Sequence, residues 1–123
     1  QKVLEAAYRQ VMVLHEGSIP DAWRLATAEQ AVYKGEMTVR TFIKELTESS
    51  AYQQRFSQAY PVAKLVEIMA RQLLGRKLTA LEAQQLCDVA SQQGTAKLTE
   101  AMLNSDEYQR YFGEQGVPYR RSI

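Results

Sequence analysis

Two separated stretches of this chain repeat each other's chemistry. Ser49-Ser50-Ala51-Tyr52-Gln53-Gln54-Arg55-Phe56 is echoed by Ser105-Asp106-Glu107-Tyr108-Gln109-Arg110-Tyr111-Phe112. Each reads as a serine that caps a helix, followed by Tyr and Phe one helical turn apart. A second echo pairs Tyr8-Arg9-Gln10-Val11 with Ala70-Arg71-Gln72-Leu73. Two elements recurring in the same order point to one helical unit used twice, and so to a scaffold built by duplication.

The remaining periodicity agrees. Val3, Leu4, Ala7, Tyr8, Val11 and Met12 fall at helical spacing over roughly residues 2 to 14. Pro20 suits the first turn of a second helix carrying Trp23, Leu25, Ala26 and Val32 and ending near Gly35. Thr38 is placed to cap a third, and Ser49 or Ser50 a short fourth. Tyr60-Pro61 forces an extended residue before a helix with Val62, Leu65, Val66, Met69 and Leu73 on one face. Gly75 is a left-handed stop. Thr79 and Glu82 fit a capping box for a helix that ends at Gly94. Thr95 and Ser105 are placed to cap the last two, with Leu98, Ala101 and Met102 turned inward. Residues from Gly113 to Ile123 form an ordered or half-ordered tail. No alternating run flanked by hairpin turns indicates a sheet. The expected fold is all-α, a compact single domain of seven or eight short helices with an internal duplication. Its core contains Val11, Phe42, Leu46, Phe56, Leu65, Val66, Met69, Leu73, Leu86 and Met102.

Length and charge restrict function. At 123 residues the chain fits one domain able to bury its own core. A net charge of +1 supplies no broad field for nucleic acid. One cysteine excludes an intramolecular disulfide and any cysteine metal cluster. The longest apolar stretch, Val62 to Leu74, is broken by Lys64, Glu67, Arg71 and Gln72, so no segment spans a membrane. No secretory signal is visible, and the chain reads as a module cut from a longer protein.

Candidate chemistry is sparse. His15, the single histidine, stands beside a loop glycine without a nucleophile or base partner in any motif. Cys87 lies among apolar neighbours and reads as a small buried hydrophobe. Tyr8, Tyr52, Phe56, Tyr108 and Phe112 fit core packing, with each hydroxyl reaching a partner. Trp23 and Tyr60, near helix ends, better suit a partner surface. Arg40, Arg76, Arg120 and Arg121 are either solvated charges or interface groups whose planar forks pair with carboxylates. Arg76 alternatively holds a helix terminus internally.

The chain resembles the linker-polypeptide domain of phycobilisomes, the light-harvesting antennae of cyanobacteria and red algae. The resemblance rests on Ala6-Ala7-Tyr8-Arg9-Gln10-Val11, Gly35-Glu36-Met37-Thr38-Val39-Arg40-Thr41-Phe42-Ile43, Glu48-Ser49-Ser50-Ala51-Tyr52 and Leu73-Leu74-Gly75-Arg76. It continues through Ser105-Asp106-Glu107-Tyr108, Phe112-Gly113-Glu114 and Val117-Pro118-Tyr119-Arg120-Arg121. It implies a non-enzymatic structural linker spanning residues 1 to 123. Such a linker sits within phycobiliprotein trimers and hexamers of phycocyanin, allophycocyanin or phycoerythrin. It joins them, with other linkers, into rods or a core, and tunes energy flow towards the core. Its place is peripheral, in the phycobilisome on the cytoplasmic or stromal face of the thylakoid membrane. Bilins belong to the partners, and no cofactor or attachment at Cys87 is expected. Against acidic phycobiliproteins, Trp23, Arg40, Tyr60, Arg76, Tyr119, Arg120 and Arg121 become the candidate partner-binding residues. The competing reading is a generic helical protein–protein adaptor in another bacterial assembly.

Overall fold

Side-chain caps set the helix boundaries. In the computed structural model, which describes residues 2 to 121, Thr38, Ser49, Thr79 and Ser105 each accept a hydrogen bond from the backbone N–H three residues on. These satisfy amides that the first helical turn leaves unpaired. Glu82 returns a bond to the Thr79 amide and completes the capping box. The resulting order is α1 (Lys2–Met12), a 3-10 turn (Asp21–Trp23), α2 (Ala26–Tyr33), α3 (Val39–Glu48) and α4 (Ser50–Tyr52). A π-helical turn (Gln53–Ser57) follows, then α5 (Val62–Leu73), α6 (Ala80–Gln93), α7 (Thr95–Leu103) and α8 (Asp106–Tyr111). No strand occurs among the described residues. Gln1, Ser122 and Ile123, the ends of the expected first helix and tail, lie outside them.

The helices form two successive units, α1–α4 and α5–α8. Positions that echo in sequence coincide in structure. Val11 and Leu73 are both buried, as are the pairs Phe42 and Leu98, Leu46 and Met102, Tyr52 and Tyr108, and Phe56 and Phe112. Ser49 and Ser105 use their hydroxyls identically, donating to the Leu46 and Met102 carbonyls and capping Tyr52 and Tyr108. Each cap is followed by an aromatic pair, Tyr52 tilted against Phe56 at 4.9 Å and Tyr108 edge-on to Phe112 at 5.3 Å. Like packs against like, α1 on α5 and α3 on α7, as across a two-fold pairing. Their seam is also polar. Gln10 Nε2 donates to the Arg71 and Gln72 carbonyls, while the Tyr52 hydroxyl donates to Gln72 Oε1. The position matching Tyr52, Tyr108, is fully buried with no partner for its hydroxyl among the described residues, against the expectation that each of these hydroxyls reaches one. Gln10, which matches Gln72, is turned to main-chain carbonyls instead.

Four expectations are corrected. The second helix is split, because Arg24 and Leu25 leave helical geometry between the 3-10 turn and α2. Tyr8 causes this: its hydroxyl accepts from the Leu25 amide and donates to Glu29, while Arg24 bridges Glu5 and Glu29. Gly94, not Thr95, occupies the cap of α7, and no side chain caps that helix. Leu86 is only half-buried, since α6 lies on the outside of the core and fully buries just Ala90. Ala101 is exposed, whereas Leu98 and Met102 are inside.

Leu73 is completely buried beside Val11, Phe42 and Met69 in one core cluster. Leu73→Ala should destabilise the domain by about 2–5 kcal/mol in urea melts followed by circular dichroism. A loss under about 1 kcal/mol would contradict this packing.

Candidate partner interface

The chain does not end with α8. After Gly113 it runs back without regular secondary structure as Val117-Pro118-Tyr119-Arg120-Arg121, a strap laid against the end of α5. There the Arg121 N–H donates to the Gly75 carbonyl at 2.9 Å. Gly75 has φ +74°, and a Cβ on it would overlap the Tyr119 carbonyl oxygen. Glycine is therefore needed twice, for the left-handed turn and for the closeness of the strap.

A shared carboxylate clamps the strap. Glu107, in the first turn of α8, accepts from Arg76 Nε at 2.6 Å and Nη2 at 2.8 Å, and from Arg121 Nη2 at 2.7 Å. Arg76 also grips both oxygens of Glu82, at 2.9 and 2.8 Å, so one guanidinium joins the starts of α6 and α8. Arg121 slides beneath Tyr111, its guanidinium carbon 3.9 Å from the ring centroid. Its Nε and Nη1 make no hydrogen bond among the described residues; the ring's π face supplies the remaining electrostatic contact. The Arg121 and Arg76 side chains are only 7% and 14% exposed.

These positions redistribute the seven candidates. Arg76 and Arg121 are internal struts, with their charges committed to Glu82 and Glu107. Arg40 is largely internal too: its Nε donates to Glu114 at 2.9 Å, and its Nη1 to the Leu103 carbonyl and Asn104. It ties α3 to the end of α7 and to the loop after α8. Trp23 is half-buried under the Arg55 guanidinium, 5.3 Å from its ring. Tyr60 is exposed. Tyr119 is 53% exposed, with one edge packed on Phe112 at 5.1 Å, and Arg120 is exposed. The structure thus brings Arg76, Tyr119, Arg120 and Arg121 to one end of the domain and leaves Trp23 and Tyr60 elsewhere in the chain's first unit. Glu107, Arg110 and Tyr111 complete that end and were absent from the candidates. Their signal was the echo itself, in which Gln54 and Arg55 are replaced by Arg110 and Tyr111.

Elsewhere, no group of His, Cys, Asp and Glu among the described residues could hold a metal ion. No described helix is long and apolar enough to cross a membrane. Cys87 is half-buried on α6 against the core.

The sequence of this all-helical domain has counterparts among known proteins. The family model described as phycobilisome linker polypeptide matches residues 1–121, and the chain belongs to that family. Relatives named Phycobiliprotein ApcE include one from Nostoc sp., 39% identical over 98% of this chain, and one from Microchaete diplosiphon, 42% identical over 99%. Another from Synechocystis sp. is 41% identical over all of it. The chain spans only 11%, 11% and 14% of the lengths of these relatives.

Two predictions concern the clamp. Gly75→Ala should cost roughly 2 kcal/mol or more in urea melts, from a strained φ and a displaced strap; an unchanged midpoint would mean that the strap does not lie there. Hydrogen bonding and charge from Arg76 hold Glu107 below the ordinary carboxyl value of 4.5 and lower Glu82 to about 2. Carboxyls lowered on folding support the native state above about pH 4.5 and withdraw that support as pH falls towards their folded values. The melting temperature should therefore drop below about pH 4.5. Glu107→Gln should be less stable at neutral pH and show a shallower acid decline. A decline parallel to that of the unaltered protein would remove Glu107 from the network.

Proposed function

We propose that the domain is a non-catalytic structural linker. It binds phycobiliproteins within the opening of their trimers or hexamers, joins these into the phycobilisome, and helps direct excitation towards its core. The observation carrying this reading is membership of the phycobilisome linker polypeptide family over residues 1–121. The fold agrees with it. Titratable groups in the best-organised polar cluster are neutralised in pairs, Arg76 with Glu82 and Glu107, which suits a rigid scaffold better than acid–base chemistry. The matching unit lies inside longer relatives, so the domain works as one segment of a larger linker. The assembly would be peripheral, at the cytoplasmic or stromal face of the thylakoid membrane. Phycocyanin, allophycocyanin and phycoerythrin are the partners to test. The domain needs no cofactor of its own, and Cys87 carries no bilin in this reading.

Mixed with purified allophycocyanin, phycocyanin and phycoerythrin in turn, the domain should shift the sedimentation of at least one and alter its bilin absorption. No shift with any of the three would overturn the linker reading. A bilin adduct on Cys87 in the mass spectrum of the native protein would overturn the cofactor assignment alone.

A further inference from the structure

The two units diverge at one point, and that divergence creates a surface. At the end of α1, Val13 adopts φ +56°; its counterpart at the end of α5 is Gly75, at φ +74°. Both leave helix-terminal carbonyls to be satisfied. In the first unit Arg55 does this from the π-helical turn, its Nε donating to Met12 at 2.9 Å and its Nη2 directed at Val13. In the second unit the position matching Arg55 is Tyr111. The Gly75 carbonyl is taken by the strap's Arg121 amide, and the Arg121 guanidinium lies under Tyr111. The strap thus does the work of Arg55 and leaves the outer side of α8 uncommitted.

What that side exposes is chemically coherent. Tyr111 is 45% exposed and Tyr119 53%; Tyr119 packs on Phe112, the residue after Tyr111, and Arg121, two residues after Tyr119, lies under the Tyr111 ring. Arg110 and Arg120 are exposed, and neither has a carboxylate partner among the described residues; the Arg110 guanidinium lies over the Tyr111 ring, 5.6 Å from its centroid. The nearby acids are engaged: Glu107 by Arg76 and Arg121, and Glu114 by Arg40 and Gln109. Asp106 stands one helical turn before Arg110 on the same side of α8 and makes no ion pair with it among the described residues. The first unit has no equivalent face, because Gln54 replaces Arg110 and Arg55 is turned onto main-chain carbonyls.

We infer that the face formed by Arg110, Tyr111, Tyr119 and Arg120 docks an acidic protein surface, its two guanidinium forks, neither paired with a carboxylate among the described residues, meeting partner carboxylates around the two tyrosine rings. Tyr and Arg are the residues that carry most energy at protein interfaces, and a planar fork on a carboxylate fixes orientation. With a net charge of +1 the domain lacks the extended positive field of a polyanion binder, so a folded partner with localised acids fits best. Because only one unit carries the face, the domain has one docking end and therefore a direction. This inference rests on the linker reading and specifies the surface that reading uses.

The test measures the affinity of the complete chain for purified allophycocyanin, phycocyanin and phycoerythrin. The variant Arg110→Ala/Arg120→Ala is compared with Lys64→Ala/Arg71→Ala, which removes the same charge from exposed positions on α5. Circular dichroism melts confirm that both fold. The face variant should bind roughly tenfold or more weakly and show less salt dependence than the unaltered domain. The α5 variant should bind nearly as the unaltered domain does. Equal binding by the face variant, or equal weakening in both variants, would overturn the docking face while leaving the linker reading intact. Failure of the unaltered domain to bind any of the three would instead remove the reading on which this inference rests.

Discussion

Glu107 is the carboxylate on which the organised end of this domain depends. It is gripped by Arg76, which also holds Glu82, and by Arg121, so one side chain joins the starts of α6 and α8 to the C-terminal strap. Partly buried ion pairs add little net stability, because desolvation offsets most of the Coulomb attraction. What they supply here is placement. A guanidinium with Nε and Nη1 buried and unpaired would be costly in any position lacking Glu107 and the Tyr111 ring, so Arg121 has one acceptable seat. Removing Glu107 would leave the nearly buried Arg121 without a carboxylate and Arg76 with Glu82 alone, a larger penalty than the pair's net worth.

The strap, once fixed, explains the asymmetry of a duplicated fold. Both units must satisfy carbonyls at the end of their first helix, and each does so differently. Arg55 reaches back in the first unit at the expense of its own availability. In the second, the strap supplies a backbone amide and its arginine goes under the ring. Duplication provides a compact core in which α1 meets α5 and α3 meets α7. Divergence at the loop after α8 provides the part that distinguishes one end of the scaffold from the other. Both units fall within the residues matched by the phycobilisome linker polypeptide family.

Much of this was legible in the sequence because it is local. Ser49, Ser105, Thr38 and the Thr79–Glu82 box declare their helices through side chains three residues from the amides they satisfy. The stripes through α3 and α5 placed Phe42, Leu46, Leu65, Met69 and Leu73 in the core. Long-range polar bonds were not legible. Nothing near Arg76 announces Glu107, and nothing near Arg40 announces Glu114; such arginines look identical in sequence whether they face a partner or a neighbouring helix. The same blindness hid the break between the 3-10 turn and α2, which Tyr8 imposes from α1. Leu86 misled because its helix lies outside the core, where an apolar residue is only half covered.

The central claim is that the strap is a fixed part of the fold, bonded through the Arg121 amide to Gly75. Amide hydrogen exchange of that N–H, followed residue by residue by NMR, tests it most directly. The account predicts protection comparable to the last amides of α5, lost together with them in a Glu107→Gln variant at neutral pH. Exchange of the Arg121 amide at the rate of an unstructured peptide in the unaltered protein would contradict it.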